Sequence, residues 1–161
     1  MEIKFKPLFV LSWGGLITYG IITANLVVVA VAAITILVMI THELAHARSC
    51  LKKGLPVKMI IFDWFGGMTV ADIEYPTDAT DFFLSAICDT GIWAFSTIGA
   101  LMIVHCVGRN ILVGFNFAPT NFWLNVLTNV AITTGIMLLG NIIPVKLAKT
   151  KYGILATDGW A

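Results

Sequence analysis

Four long apolar stretches divide the chain, running about Pro7 to Ala24, Leu26 to Ala47, Phe82 to Val107 and Phe122 to Val145. Each approaches or exceeds the ~20 residues that a helix needs to cross a bilayer. The first is interrupted by Gly14, Gly15 and Gly20, and only Asn25 separates it from the second. Lys4 and Lys6 precede it, but its apolar region is overlong and lacks a small-residue cleavage site, unlike a cleaved signal peptide. Between the second and third stretches, Val57 to Glu74 reads as short extended pieces around Phe65-Gly66-Gly67, where glycine permits a tight turn or the close approach of another backbone. The pattern predicts an all-α polytopic membrane protein of one domain over residues 1–161, with about four transmembrane helices and a short β-like glycine hairpin between the second and third.

Composition points the same way. Hydrophobic residues make up 58% of the chain and charged residues 12%, with a mean hydropathy of +0.92, beyond ordinary soluble domains. The lipid bilayer is therefore the first expected partner. A net charge of +1 adds little, and the basic residues form no aromatic-interleaved patch, so no nucleic-acid partner is expected. Nothing in the chain fixes an oligomeric state.

The basic residues set an orientation. With a cytoplasmic N-terminus, four spans leave Lys4, Lys6, Arg48, Lys52, Lys53, Lys58, Lys146, Lys149 and Lys151 inside and only Arg109 outside. This topology ends the second and fourth spans at the cytoplasmic face, so His42, His46 and the residues after Asn141 share a depth. Cys50, Cys88 and Cys106 fall at different depths, and no disulfide is expected.

At the end of the apolar run from Leu26 to Ile40 lies His42-Glu43-Leu44-Ala45-His46. On a helix, residues four apart stack on one face, so two imidazoles grip one metal while Glu43, one position round, reaches a metal-bound water. Ionisable groups are expensive in a membrane segment and mark function there. With three His and three Glu in the chain, a chance match to this spacing has odds of roughly one in a thousand.

Two His and a water leave a catalytic Zn2+ one protein ligand short. His105 lies near the outer end of the third span and reads as an interfacial residue. Cys50 follows His46 by one turn and reads as an ordinary helix-end thiol. Two carboxylates remain. Asp89 lies ~10 Å into the third span, and Asp158, in the turn-like Asp158-Gly159, follows the fourth span beyond the helix-breaking Pro144.

Over most of its length the chain resembles the site-2 protease family of intramembrane zinc metalloproteases. The likeness rests on Ile3-Lys4-Phe5-Lys6-Pro7-Leu8-Phe9, on His42 to Ala47 followed by Lys53-Gly54-Leu55-Pro56-Val57, on Phe65-Gly66-Gly67, and on Asn141-Ile142-Ile143-Pro144 leading to Thr157-Asp158-Gly159. The resemblance implies that His42, His46 and Asp158 hold zinc and that Glu43 is the general base. It further implies that Asn141 holds the substrate backbone or oxyanion, and that Phe65, Gly66 and Gly67 belong to a partly inserted hairpin that pairs with an unwound transmembrane substrate protein.

The departures are specific. Cys88-Asp89-Thr90 stands where the family commonly has Ala-Gly-Pro, and the Pro144 to Asp158 interval is long, so a Lys-rich loop must fold back to deliver Asp158. Relatives continue into further helix after Asp-Gly, so the expectation is a C-terminally truncated form of the compact type, without room for a PDZ-like insertion in the roughly 35 residues between the second and third spans. Asp89 stays open as the alternative third ligand.

The function expected is a multi-pass zinc endopeptidase cutting transmembrane helices near the cytosolic face. A catalytically inactive binding homologue, or an unrelated membrane zinc protease acting on soluble or lipidated peptides, are the rival readings; Glu43 argues against the first and the Asn141 to Asp158 pattern against the second.

The topology is open to direct labelling. A cysteine introduced beside Arg109 should react with an impermeant reagent from outside the cell, and one beside Lys52 should not. The reverse pattern contradicts both the orientation and the cytosolic placement of the motif.

Overall fold

The computed structural model describes residues 1–52, 54, 56–63, 66–71, 93, 96, 98, 121–142, 146–150 and 153–156, with backbone alone from Gly140 onward. The chain is mostly helical, with a small mixed sheet at one end. In order the elements are β1 (Glu2–Phe5), α1 (Pro7–Ile22), α2 (Leu26–Lys52), β2 (Val57–Asp63), β3 (Gly66–Ala71), α3 (Phe122–Ile142), β4 (Lys146–Thr150) and β5 (Gly153–Ala156). Helix α2 continues five residues past the expected end at Ala47, because Arg48 to Lys52 keep helical spacing and two buried side chains, Ala47 and Cys50, hold that turn against the sheet.

Pro7 opens α1, where its missing N–H would have had no helical partner. At the other end the chain reverses in three residues: Ala24 takes φ 52°, the Asn25 N–H donates to the Gly20 carbonyl at 2.7 Å, and the Asn25 side-chain oxygen caps α2 by accepting from the Val28 N–H at 3.3 Å. Gly20 makes this reversal possible, since a Cβ there would stand 2.7 Å from Val29 Cγ2. The two helices therefore run back to back, and Phe9 near the start of α1 packs in one cluster with Met39, Ala47 and Cys50 of α2.

This hairpin decides where the sheet sits. The sheet order is β1-β2-β3, with β1 parallel to β2 and β2 antiparallel to β3. A parallel pair needs a crossover, and here the crossover is the whole α1–α2 hairpin. Its two open ends are the start of α1 and the end of α2, so β1 and β2 meet beside the last turns of α2, where His42 to His46 lie. Phe5 pairs with Phe62 across the strands, stacks on it at 5.2 Å, and Phe62 in turn meets Phe9 at 5.7 Å. The Lys6 N–H donates to the Phe62 carbonyl at 2.9 Å, and the Lys6 ammonium pairs with the Asp63 carboxylate.

Val27 and Val31 of α2 cluster with Val126 and Val130 of α3, while Met137, further along α3, reaches the cluster containing Met39. Start meets start and later turn meets later turn, so α2 and α3 are parallel. Asn141 follows Met137 by one turn, at the end of α3. Three buried polar side chains on α3 are met locally: Thr128 and Thr134 donate to the Leu124 and Val130 carbonyls, and Asn129 donates to that of Asn125, each at 2.8 Å.

Two helices, Leu26–Lys52 and Phe122–Leu139, are long and apolar enough to cross a membrane, and α1 is a shorter apolar helix. The apolar exterior is extensive; Leu11, Ile22, Leu26, Trp123 and Leu139 are all more than half exposed. The third expected span falls outside the described residues except Trp93, Ser96 and Ile98, each of which is helical.

The expected glycine hairpin is present as β2 and β3. The all-α reading is corrected in two places. Strand β1 forms because β2 offers it an edge beside Phe62, and the Lys-rich interval after α3 is a second hairpin, β4 paired antiparallel with β5, rather than an irregular loop.

Phe62 ties β1, β2 and α1 together while only 2% exposed. Phe62→Ala should cost about 3–5 kcal/mol, read as a fall in Tm of about 6 °C or more; a fall of under about 2 °C contradicts its place at the centre of this cluster.

Candidate metal centre

His42, Glu43 and His46 lie within the continuous helix α2 and are 6%, 4% and 3% exposed, respectively. The helix spacing delivers both imidazoles to one face. Their ring centroids are 4.8 Å apart and the planes stand at 87°. Two nitrogens bound to a tetrahedral zinc at ~2.0–2.1 Å stand roughly 3.4 Å apart, a separation open to rings at this spacing. The donor chemistry, two imidazoles with a carboxyl group beside them, fits zinc.

Strand β3 closes over this face. A Cβ built at Gly67 would stand 2.2 Å from Glu43 Cγ and 2.6 Å from its Cδ and Oε1. The strand backbone thus lies directly on the Glu43 side chain, an approach only glycine allows. Two residues on, the Thr69 hydroxyl donates to Glu43 Oε2 at 2.7 Å and lies 3.1 Å from the Glu43 carbonyl oxygen. Residues two apart in a strand point to the same face, so Gly67 and Thr69 form one surface on α2. Across the ladder they pair with Phe62 and Ile60, which are 2% and 0% exposed. Gly66, at the start of β3, adopts φ 157°, a conformation side-chain-bearing residues rarely take.

One turn edge of the motif is also fixed from elsewhere. Trp93 Nε1 donates to Thr41 Oγ1 at 3.2 Å, immediately before His42. Cys50 is buried among Phe9, Met39, Val57 and Phe62, an apolar setting that suits packing.

The remaining expected site residues divide by what is described. Asn141 is the penultimate residue of α3. Phe65, Asp89, His105 and Asp158 lie outside the described residues. Among the described residues no three His, Cys, Asp or Glu side chains form a metal-holding group. Thr69 and Trp93 were not singled out by the sequence. The signal for Thr69 was the Gly67-x-Thr69 alternation, legible once one face of the hairpin is assigned to α2.

The chain matches no protein-family model, no curated protein and no solved structure.

Gly67 and the α1 glycines make opposite predictions. At Gly14 nothing lies within 4 Å of an added Cβ, so Gly14→Ala should raise stability by about 0.5–1 kcal/mol through helix propensity. Gly67→Ala meets the middle of a buried side chain, not its free tip, and should cost about 1–3 kcal/mol. Thermal unfolding of both variants tests this; equal shifts contradict the close contact of β3 with Glu43.

Proposed function

We propose that the protein is an intramembrane zinc endopeptidase of the site-2 protease type, hydrolysing peptide bonds within transmembrane helices of other membrane proteins near the cytosolic face. The observation that carries this reading is the buried His42-Glu43-His46 face of an apolar helix, roofed by a strand that must contain glycine to lie there. A structural helix has little reason to bury two imidazoles and a carboxylate together within an apolar segment.

In this reading α1, α2, the third apolar stretch and α3 are the membrane spans of a multi-pass protein with a cytoplasmic N-terminus. His42 and His46 would hold the metal, with Asp158 as third ligand and Asp89 as the alternative. Zinc, when bound, supplies a water of lowered pKa and polarises the scissile carbonyl. Glu43 would accept the proton of the attacking water as its oxygen bonds to the carbonyl carbon, and return it to the leaving amine as the C–N bond breaks. Burial at 4% exposure keeps bulk water from Glu43, so its proton traffic is confined to the bond being cut.

A helical substrate hides its carbonyls in its own hydrogen bonds and must unwind first. Strand β3 offers a place for the unwound segment, because it pairs on one side with β2 and ends the described sheet on the other. Added there as a strand, a substrate gains backbone hydrogen bonds in exchange for its helical ones. Gly66 and Gly67 belong to this edge, the resemblance adds Phe65 to the substrate-binding residues, and Asn141, at the end of α3, would hold the substrate backbone or the oxyanion.

Glu43→Gln should keep fold and zinc while lowering cleavage of a membrane-spanning model substrate by more than about 10²-fold, because an amide cannot take the proton. Turnover within a few-fold of the unmodified chain would sink the peptidase reading.

A further inference from the structure

We infer that Thr69 is a positioning residue for Glu43: its hydroxyl fixes the direction of the carboxylate from the same strand edge that receives the substrate. The inference rests on the proposed peptidase and deepens it by naming what aims the base.

Thr69 has one hydroxyl proton and two acceptors on the same residue. Glu43 Oε2 at 2.7 Å is nearer than the Glu43 carbonyl at 3.1 Å, so the side-chain oxygen takes the proton. A glutamate side chain has three torsions and loses rotamer freedom only where something holds it. Here two contacts from one strand do so. Gly67 sets a backbone floor against Cγ and Cδ, and Thr69 ties one oxygen. Both face α2 because they are two residues apart, and both are displaced together if β3 moves.

This arrangement links two events that a peptidase must time. A substrate strand added to the outer edge of β3 fixes that strand, and a fixed β3 fixes Thr69 and the carboxylate it holds. The base is then aligned when a substrate backbone is present. Loss of the hydroxyl should weaken this alignment, leaving the metal ligands and the substrate edge intact. Its effect belongs on kcat, since the hydroxyl touches neither the edge hydrogen bonds nor the imidazoles.

Thr69→Val keeps the β-branched shape without the hydroxyl, and Thr69→Ser keeps the hydroxyl without the branch. In the full chain reconstituted in vesicles with a membrane-spanning substrate, Thr69→Val should lower kcat about tenfold or more with KM within about twofold. Thr69→Ser should restore kcat to within about threefold, and zinc content should be the same in all three proteins. An activity-free measurement accompanies these: without metal, Thr69→Val should lower Tm by about 2–4 °C in the Glu43 chain and by clearly less in a Glu43→Met chain, where only the residue-43 carbonyl is left as an acceptor.

An unchanged kcat, a rise confined to KM, failure of Ser to rescue, or equal Tm losses in both backgrounds would each overturn the positioning role. Those results leave the peptidase reading standing if Glu43→Gln is inactive. A fully active Glu43→Gln instead removes the peptidase reading, and the Tm comparison still decides whether Thr69 holds Glu43.

Discussion

The contact between the backbone of β3 and the side chain of Glu43 constrains everything around it. A strand and a helix ordinarily stand apart by the thickness of two side chains, about 10 Å. At Gly67 that thickness is removed, and the helix carboxylate fills the place a strand side chain would occupy. The consequence is a polar group that is buried yet held, with Thr69 supplying a donor where lipid or apolar packing would supply none. Leaving such a carboxylate without a partner would cost several kcal/mol, so the strand that covers Glu43 must also bond to it.

That contact requires β3 to be delivered to the end of α2, and the rest of the fold does this. The tight reversal at Gly20 to Asn25 brings α1 back along α2, β1 then lies parallel to β2 across the open end of the hairpin, and β2 presents β3. The Phe5, Phe9 and Phe62 rings and the Lys6–Asp63 pair lock the arrangement from the far side. Helix α3 adds a parallel neighbour that packs on α2 through Val126 and Val130 and reaches the Met39 cluster through Met137. The buried His42, Glu43 and His46 sit on α2, but their environment is made by the N-terminal strand and the hairpin.

Much of this was legible in the chain. The apolar stretches located α1, α2 and α3 to within a few residues, since helix periodicity and length survive any tertiary context, and Gly66-Gly67 located the hairpin because two glycines between extended residues have few other uses. The paired His42 and His46 needed only the helical repeat. What failed was anything depending on a partner strand. Glu2 to Phe5 is four exposed residues with no period of its own, and becomes β1 only because β2 lies open beside it. Lys146 to Ala156 carries charge and glycine that read as loop, and pairs as a hairpin because its two halves face each other. Thr69 escaped notice for the same reason, since a threonine in a strand is ordinary until the strand's inner face is known.

The most direct test of a metal-dependent site on α2 is zinc content and zinc X-ray absorption of the purified chain, beside His46→Ala. The account predicts one zinc per chain, bound by two imidazole nitrogens at ~2.0–2.1 Å with oxygen as the remaining neighbours, and loss of that zinc in the variant. A chain that binds no zinc, or binds it equally well without His46, would contradict the account at its centre.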